Sequence, residues 1–84
     1  MLHQMVAVFD VKVGAYARPV AVPSDGAAVR SFQDAVNAGD NEYSKHPEDY
    51  SMFNLGTYDD STGEFISTAP RQLAQAVSLK TVSA

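Results

Sequence analysis

The 84-residue chain has no cysteine, which excludes a disulfide framework and any thiolate zinc site. Those are the usual reinforcements of small folds, and a chain of this length buries only roughly 60 to 65% of the surface its unfolded form exposes. Self-association, as a homodimer or higher oligomer, is the expected substitute. The lack of cysteine also fits a reducing compartment. No basic-then-apolar leader opens the sequence, and the longest apolar-rich run, residues 5–9, is far too short to span a bilayer. A soluble, cytoplasmic protein with no membrane partner is expected.

Signatures of chemistry are missing as well. There is no glycine loop to cradle phosphate, no nucleophile elbow, no Cys-His pair and no base placed beside a serine or tyrosine. The sequence therefore reads as a non-enzyme without a cofactor. His46 beside Glu48 and Asp49 is the richest set of metal donors, but no spacing supplies the three or four converging ligands of a metal site. The turn around Asp59, Asp60 and Gly63 fails as a calcium loop on register. With Gly63 at the motif's glycine, the first ligand position falls on Tyr58 and the fifth on Thr62.

Positive charge is scarce: six Lys and Arg stand against ten acids, for a net charge of -4. The imbalance is local. Residues 1–39 carry Lys12, Arg18 and Arg30 against Asp10, Asp25 and Asp34, whereas residues 40–64 carry Lys45 against seven acids, and residues 65–84 carry Arg71 and Lys80 with none. Such a chain lacks the broad basic footprint of most nucleic-acid binders, which rely on phosphate neutralisation.

What is present organises into one domain, residues 1–84. Residues 5–9 are β-branched and aromatic with both alternate faces apolar, the pattern of a central strand. Residues 14–17 read as a connection, and residues 18–22 as a short or edge strand because Pro19 and Pro23 each remove a backbone donor. Ser24 is a helix cap, Asp25 faces the positive end of the helix dipole, and Val29, Phe32 and Val36 give the helical period, with Gly39 suited to the stop. This predicts a helix over about 25–38. Residues 40–49 read as an exposed loop with one helical turn begun by Pro47.

Residues 52–58 read as a strand whose core face is Phe53, Leu55 and Thr57, with Met52, Asn54, Gly56 and Tyr58 opposite. A turn over 59–63 and a partner strand over 64–68 complete a hairpin. Pro70 is placed to begin a short C-terminal helix with Leu73, Ala76 and Val77 on its apolar edge, and residues 78–84 read as a frayed tail. The fold class is α+β: a small two-layer domain with a mainly antiparallel four-stranded sheet, in the order β-β-α-β-β-α, and one main helix packed on it. Phe9, Phe32, Phe53 and Phe65 fit core positions. Tyr16, Tyr43, Tyr50 and Tyr58 are less committed, free either to stack on unpaired bases or to cover a sheet edge or an oligomer interface.

The segment His46-Pro-Glu-Asp-Tyr50, followed by Phe53, Leu55-Gly56, Tyr58-Asp59-Asp60 and Thr62-Gly63, together with Arg30-Ser-Phe-Gln-Asp-Ala-Val-Asn37 upstream, resembles the small nonstructural protein of gokushovirus-type microviruses, phages with circular single-stranded DNA. The resemblance covers most of the chain up to Val77. It implies a protein absent from the mature capsid, acting in the host bacterial cytoplasm as a DNA-binding protein in single-stranded DNA synthesis or packaging. No family residue roles come with it. Two hypotheses follow. In the first, Lys12, Arg18, Arg30, Arg71 and Lys80 contact phosphates of single-stranded DNA and Tyr16 stacks on a base. In the second, the protein is an oligomeric adaptor whose acidic 40–64 block, with Asp59, Asp60 and Glu64 at its hairpin, holds a basic partner such as a replication initiator or a capsid precursor.

Overall fold

A computed structural model describes residues 1–81. The elements are β1 (Leu2–Asp10), β2 (Ala15–Tyr16), β3 (Val20–Val22), α1 (Asp25–Ala38), α2 (Glu42–Lys45), a 3-10 turn (Pro47–Asp49), β4 (Tyr50–Asp59), β5 (Glu64–Gln75) and α3 (Ala76–Leu79). The α+β architecture is the expected one. β1 is central: β4 pairs with one edge, while β2 and β3 pair in succession with the other, and β5 completes the sheet beyond β4. All pairings are antiparallel. Pro19 lies in the gap between β2 and β3, where no ladder needs its missing N–H.

Helix α1 forms as its signals dictate. The Ser24 hydroxyl accepts a hydrogen bond from the Ala27 amide at 3.1 Å, and Gly39 ends the helix at φ 92°. Ala28, Phe32 and Val36 are its buried residues, and they meet Val6 and Val8 of β1, Met52 of β4 and Ala76 of α3. Val22, Tyr43, Tyr50, Leu73 and Leu79 close this core at its margins. Full burial of each large apolar side chain contributes ~1.5–3 kcal/mol, so a core this small leaves little reserve.

The face of β4 turned to the core is not the predicted one. Met52, Asn54 and Gly56 are buried, while Phe53, Leu55 and Thr57 are half-buried and outside the core. Hydropathy favours Phe, Leu and Thr. The fold instead buries Asn54, at 4% exposure, by satisfying its side chain completely. Its Nδ2 donates to Gln4 Oε1 at 3.0 Å and to Asp25 Oδ1 at 2.8 Å, and its Oδ1 accepts the Gly56 amide at 2.8 Å.

That last bond closes a β-bulge. Leu55 is the extra residue between the Met5–Gly56 and Val6–Asn54 pairs, and on the other side residues 68–70 intervene between the Gly56–Ser67 and Asn54–Arg71 pairs. Gly56 has φ 138°, and a Cβ there would run into the Ile66 carbonyl oxygen and lie 3.0 Å from Ser67 Cα. No other residue fits. The bulge bends the sheet, so that its distal half runs on as an arm past the helices. The molecule measures 47 × 24 × 18 Å, and its radius of gyration of 13.4 Å exceeds the about 12 Å of a compact chain of this length.

Three further expectations are corrected. Residues 42–45 are not open loop: they form α2, whose Ser44 is buried and donates to the Ala35 and Val36 carbonyls while accepting from the Gly39 amide. Pro70 does not start a helix, because β5 continues past it to Gln75 along the sheet edge, where a proline costs no ladder bond. Residues 78–81 are not frayed. Asn37 donates to the Leu79 carbonyl and accepts from the Thr81 amide and hydroxyl; the rest of the expected tail, 82–84, lies outside the described residues.

Replacing Gly56 by alanine forces a side chain into the Ile66 carbonyl at an unfavourable φ, and is expected to destabilise the fold by about 1–3 kcal/mol or more. Asn54→Ala leaves the buried Gly56 amide without its partner, at a further cost of about the same size. Urea unfolding of both variants measures this; midpoints equal to wild type would show that the bulge is not fixed by these residues.

Candidate nucleic-acid interface

Strand alternation gives the sheet two unlike faces. On β1 the even residues, Gln4, Val6 and Val8 among them, point to the helices, and the odd residues, His3, Met5, Ala7 and Phe9, point away. Cross-strand pairing carries this division across the sheet: Phe9 opposes Tyr16, Ala7 opposes Phe53, and His3 opposes Tyr58, which opposes Phe65. The open face thus holds two aromatic groups.

The first group lies near the β1–β2 turn. Phe9 and Tyr16 pack edge to face at 4.8 Å between centroids, and Phe53 meets Tyr16 at 5.6 Å and Phe9 at 6.4 Å. The second lies on the arm, where Tyr58 stacks on Phe65 at 4.6 Å with an interplanar angle of 29°, and on His3 at 6.2 Å. Phe65 is 69% exposed and Tyr16 39%. Of the four phenylalanines expected in the core, only Phe32 is there. The tyrosines divide: Tyr43 and Tyr50 pack against the core from the helix side, and Tyr16 and Tyr58 join the open face.

The open face is also free of strand carboxylates. Asp10, Asp59 and Glu64, the acids within strands, hold alternate positions on the helix side, Asp10 opposite Ala15 and Tyr50, Asp59 opposite Leu2 and Glu64. Only Asp60, in the hairpin turn, reaches its far end, where one carboxylate oxygen lies 2.8 Å from His3 Nε2 and the other accepts the Met1 amino group. The acidic hairpin tip is largely engaged with itself. Asp59 accepts from the Ser61 amide and hydroxyl, which hold its carboxyl below the ordinary range, and Asp60 is lowered by the amino terminus and His3. Of the adaptor candidates Asp59, Asp60 and Glu64, only Glu64 has a carboxylate outside these contacts among the described residues.

The six basic side chains do not gather on one surface. Arg71 Nη2 donates to Asp25 Oδ2 at 2.8 Å, and Lys80 Nζ lies across the end of α1, donating to the Val36 and Ser44 carbonyls at 3.3 and 3.2 Å. Both are structural cations. Lys12 sits in the exposed 11–14 turn beside the first aromatic group, Arg18 borders a groove facing Ser31 and Ala35 of α1, and Arg30 is exposed on α1. Among the described residues, Arg71 is the one Lys or Arg in an ion pair. His46, Glu48 and Asp49 bring donor atoms within 4.8 Å of one another, with His46 and Glu48 exposed. Tyr16, Tyr58 and Lys12 are weighed from sequence as surface groups; Phe9, Phe53 and Phe65 are missed, since period alone cannot tell which face of a strand a helix will cover.

The class defined by this geometry is a small α+β domain with helices on one sheet face and an uncharged aromatic platform on the other. The chain belongs to the phage ORF5 protein family, whose model matches residues 3–79. No curated protein and no solved structure matches it significantly. Among the described residues no helix is long and apolar enough to cross a membrane.

Asp25 joins the helix start to the sheet, and its carboxyl is held below the ordinary range by the Arg71 guanidinium and then by the Asn54 amide, against a smaller opposing effect of burial. A depressed carboxyl contributes stability that is present above the unfolded pKa, near 3.8, and is lost as pH falls through the folded value. Thermal melts of wild type and Asp25→Asn from pH 7 to pH 2.5 should therefore differ most at neutral pH and converge in acid. A constant gap across this range would remove the ionised carboxylate from the account.

Proposed function

We propose that this phage ORF5-family protein is a non-enzymatic single-stranded DNA-binding protein, acting in the host bacterial cytoplasm during genome synthesis or packaging, in line with its resemblance to the nonstructural protein of gokushovirus-type microviruses. The observation that carries the reading is the open sheet face: two aromatic groups, no strand carboxylate, and exposed rings at Tyr16 and Phe65. Bases present π-faces that such rings stack on irrespective of sequence, at ~1–3 kcal/mol per base. A face built this way binds single strands, whose bases are unpaired and accessible, and not duplexes, which hide them.

The charge distribution shapes the expected binding. Lys12 lies beside the platform, Arg18 borders the groove facing α1 at the sheet edge, and the acids lie on the helix side or at the hairpin tip. Affinity then comes mainly from stacking, with few phosphate contacts. The protein acts as a homodimer or higher oligomer in this reading, since Leu2 and Ile66 leave apolar surface exposed on the arm's other face. The adaptor alternative finds less support at the hairpin tip, where Asp59 and Asp60 already have partners.

Fluorescence anisotropy with a labelled oligothymidylate at low salt tests the reading. Micromolar binding is expected, weakened about 10-fold by either Tyr16→Ala or Phe65→Ala. Two phosphate contacts would give a salt slope of only about -1.4, which Lys12→Gln should reduce by about 0.7. Absence of binding at tens of micromolar protein, or binding unchanged in both alanine variants, would refute the platform.

A further inference from the structure

A cleft of about 500 Å³ opens at the β2 edge of the sheet, between the β1–β2 hairpin and the segment carrying α2 and the 3-10 turn. Its walls combine three kinds of group: the aliphatic side chains of Val8 and Val13, the rings of Tyr16, Tyr43 and Tyr50, and the carboxylates of Asp10 and Glu42. No lysine or arginine lines it. The Tyr43 and Tyr50 rings meet edge to face at 4.9 Å, so they form a corner and not a flat wall.

The cleft is held open by backbone contacts on both sides. The Val11 amide donates to the Asp49 carbonyl at 3.1 Å, tying the end of β1 to the 3-10 turn, and the Ala17 amide donates to the Val8 carbonyl at 2.8 Å, continuing the β2 edge. On the opposite wall Asn41 caps α2 through the Ser44 amide and donates to the Ala35 carbonyl, which fixes where Glu42 and Tyr43 start. The Asp10 carboxylate accepts the Lys12 amide at 2.9 Å through one oxygen. Glu42 is mostly exposed and lies 3.8 Å from His46 Nε2.

We propose that this cleft is a receptor site for an arginine side chain of a partner protein. An apolar, aromatic-walled cavity that carries two carboxylates and no cation attracts a group with a long apolar stem and a positively charged end. Val8 and Val13 cover the stem. The Tyr43 and Tyr50 rings face the guanidinium plane, which stacks on aromatic surfaces as an ammonium does less well, and the carboxylates accept its N–H groups in pairs. Tyr50 senses the same field: desolvation, then the carboxylates of Asp10, Glu42 and Asp49, raise its hydroxyl above the ordinary range. The volume lies within the ~300–1,000 Å³ of small-ligand sites and admits residues flanking the arginine. DNA is repelled from this region by the same carboxylates, so the site goes beyond base binding, although Tyr16 at the cleft's edge also belongs to the open face.

The probe is the tripeptide acetyl-Gly-Arg-Gly-amide, titrated into the labelled protein and followed by amide NMR shifts, with the isosteric citrulline tripeptide as the uncharged control. Millimolar binding is expected, with shifts confined to residues 8–17 and 41–50, and at least about 10-fold weaker binding of the citrulline peptide. Asp10→Asn with Glu42→Gln keeps the oxygen that accepts the Lys12 amide and should abolish the arginine response in a protein whose other amide shifts are unchanged. Equal binding of both peptides would make the cleft a plain apolar groove. Shifts scattered over the acidic hairpin tip would show general charge attraction. Either result overturns the proposal, and neither bears on base stacking at the Tyr58–Phe65 group of the open face.

Discussion

The structure depends on one buried amide. Asn54 stands where the sheet, the start of the main helix and the bent strand β4 meet, and each of its polar atoms is used: Gln4 on the neighbouring strand, Asp25 at the first turn of α1 and the Gly56 amide within the bulge. Asp25 extends the chain of contacts to Arg71 on β5. Four segments far apart in sequence are thereby set against one another. A buried amide is costly when unpaired and highly directional when paired, so this arrangement fixes which face of β4 the helix covers. It also fixes the register on either side of Leu55.

From that choice the two surfaces follow. Once Met52 and Asn54 face the helix, Phe53 must face away, and the pairing of Phe9 with Tyr16 and of Tyr58 with Phe65 carries the aromatic character across β1, β2, β4 and β5 on the open face. The carboxylates within strands fall on the helix side by the same alternation. An acidic protein can thus present an uncharged aromatic platform, and net charge is a poor guide to the character of one surface. The bend at Gly56 carries the second aromatic group beyond the helices, on an arm whose Phe65 is 69% exposed.

Much of the fold was legible in local signals. Ser24, Asp25 and Gly39 mark α1 to the residue, residues 5–9 announce the central strand, and the turn before Glu64 announces the hairpin. What was not legible depends on distant partners. Asn54 looks like a solvent residue until Gln4 and Asp25, 50 and 29 positions away, are brought to it, and with it went the assignment of Phe53 and Phe65 to the core. Pro70 reads as a helix start because local rules cannot tell that β5 lies at an edge. Arg71 and Lys80 read as free cations, yet one pairs with Asp25 and the other caps the end of α1. The distinctive HPEDY segment led to a phage family, and the matched family is a phage one, while the segment itself builds the turn that leads into β4.

The most direct test of the central claim is photocrosslinking of the protein to single-stranded oligonucleotides carrying 5-iodouracil, with the adducts located by mass spectrometry. The account predicts adducts on the open face, at Tyr16, Phe53, Tyr58 or Phe65. Adducts confined to Tyr43 and Tyr50, on the helix side among Asp10 and Glu42, would contradict it.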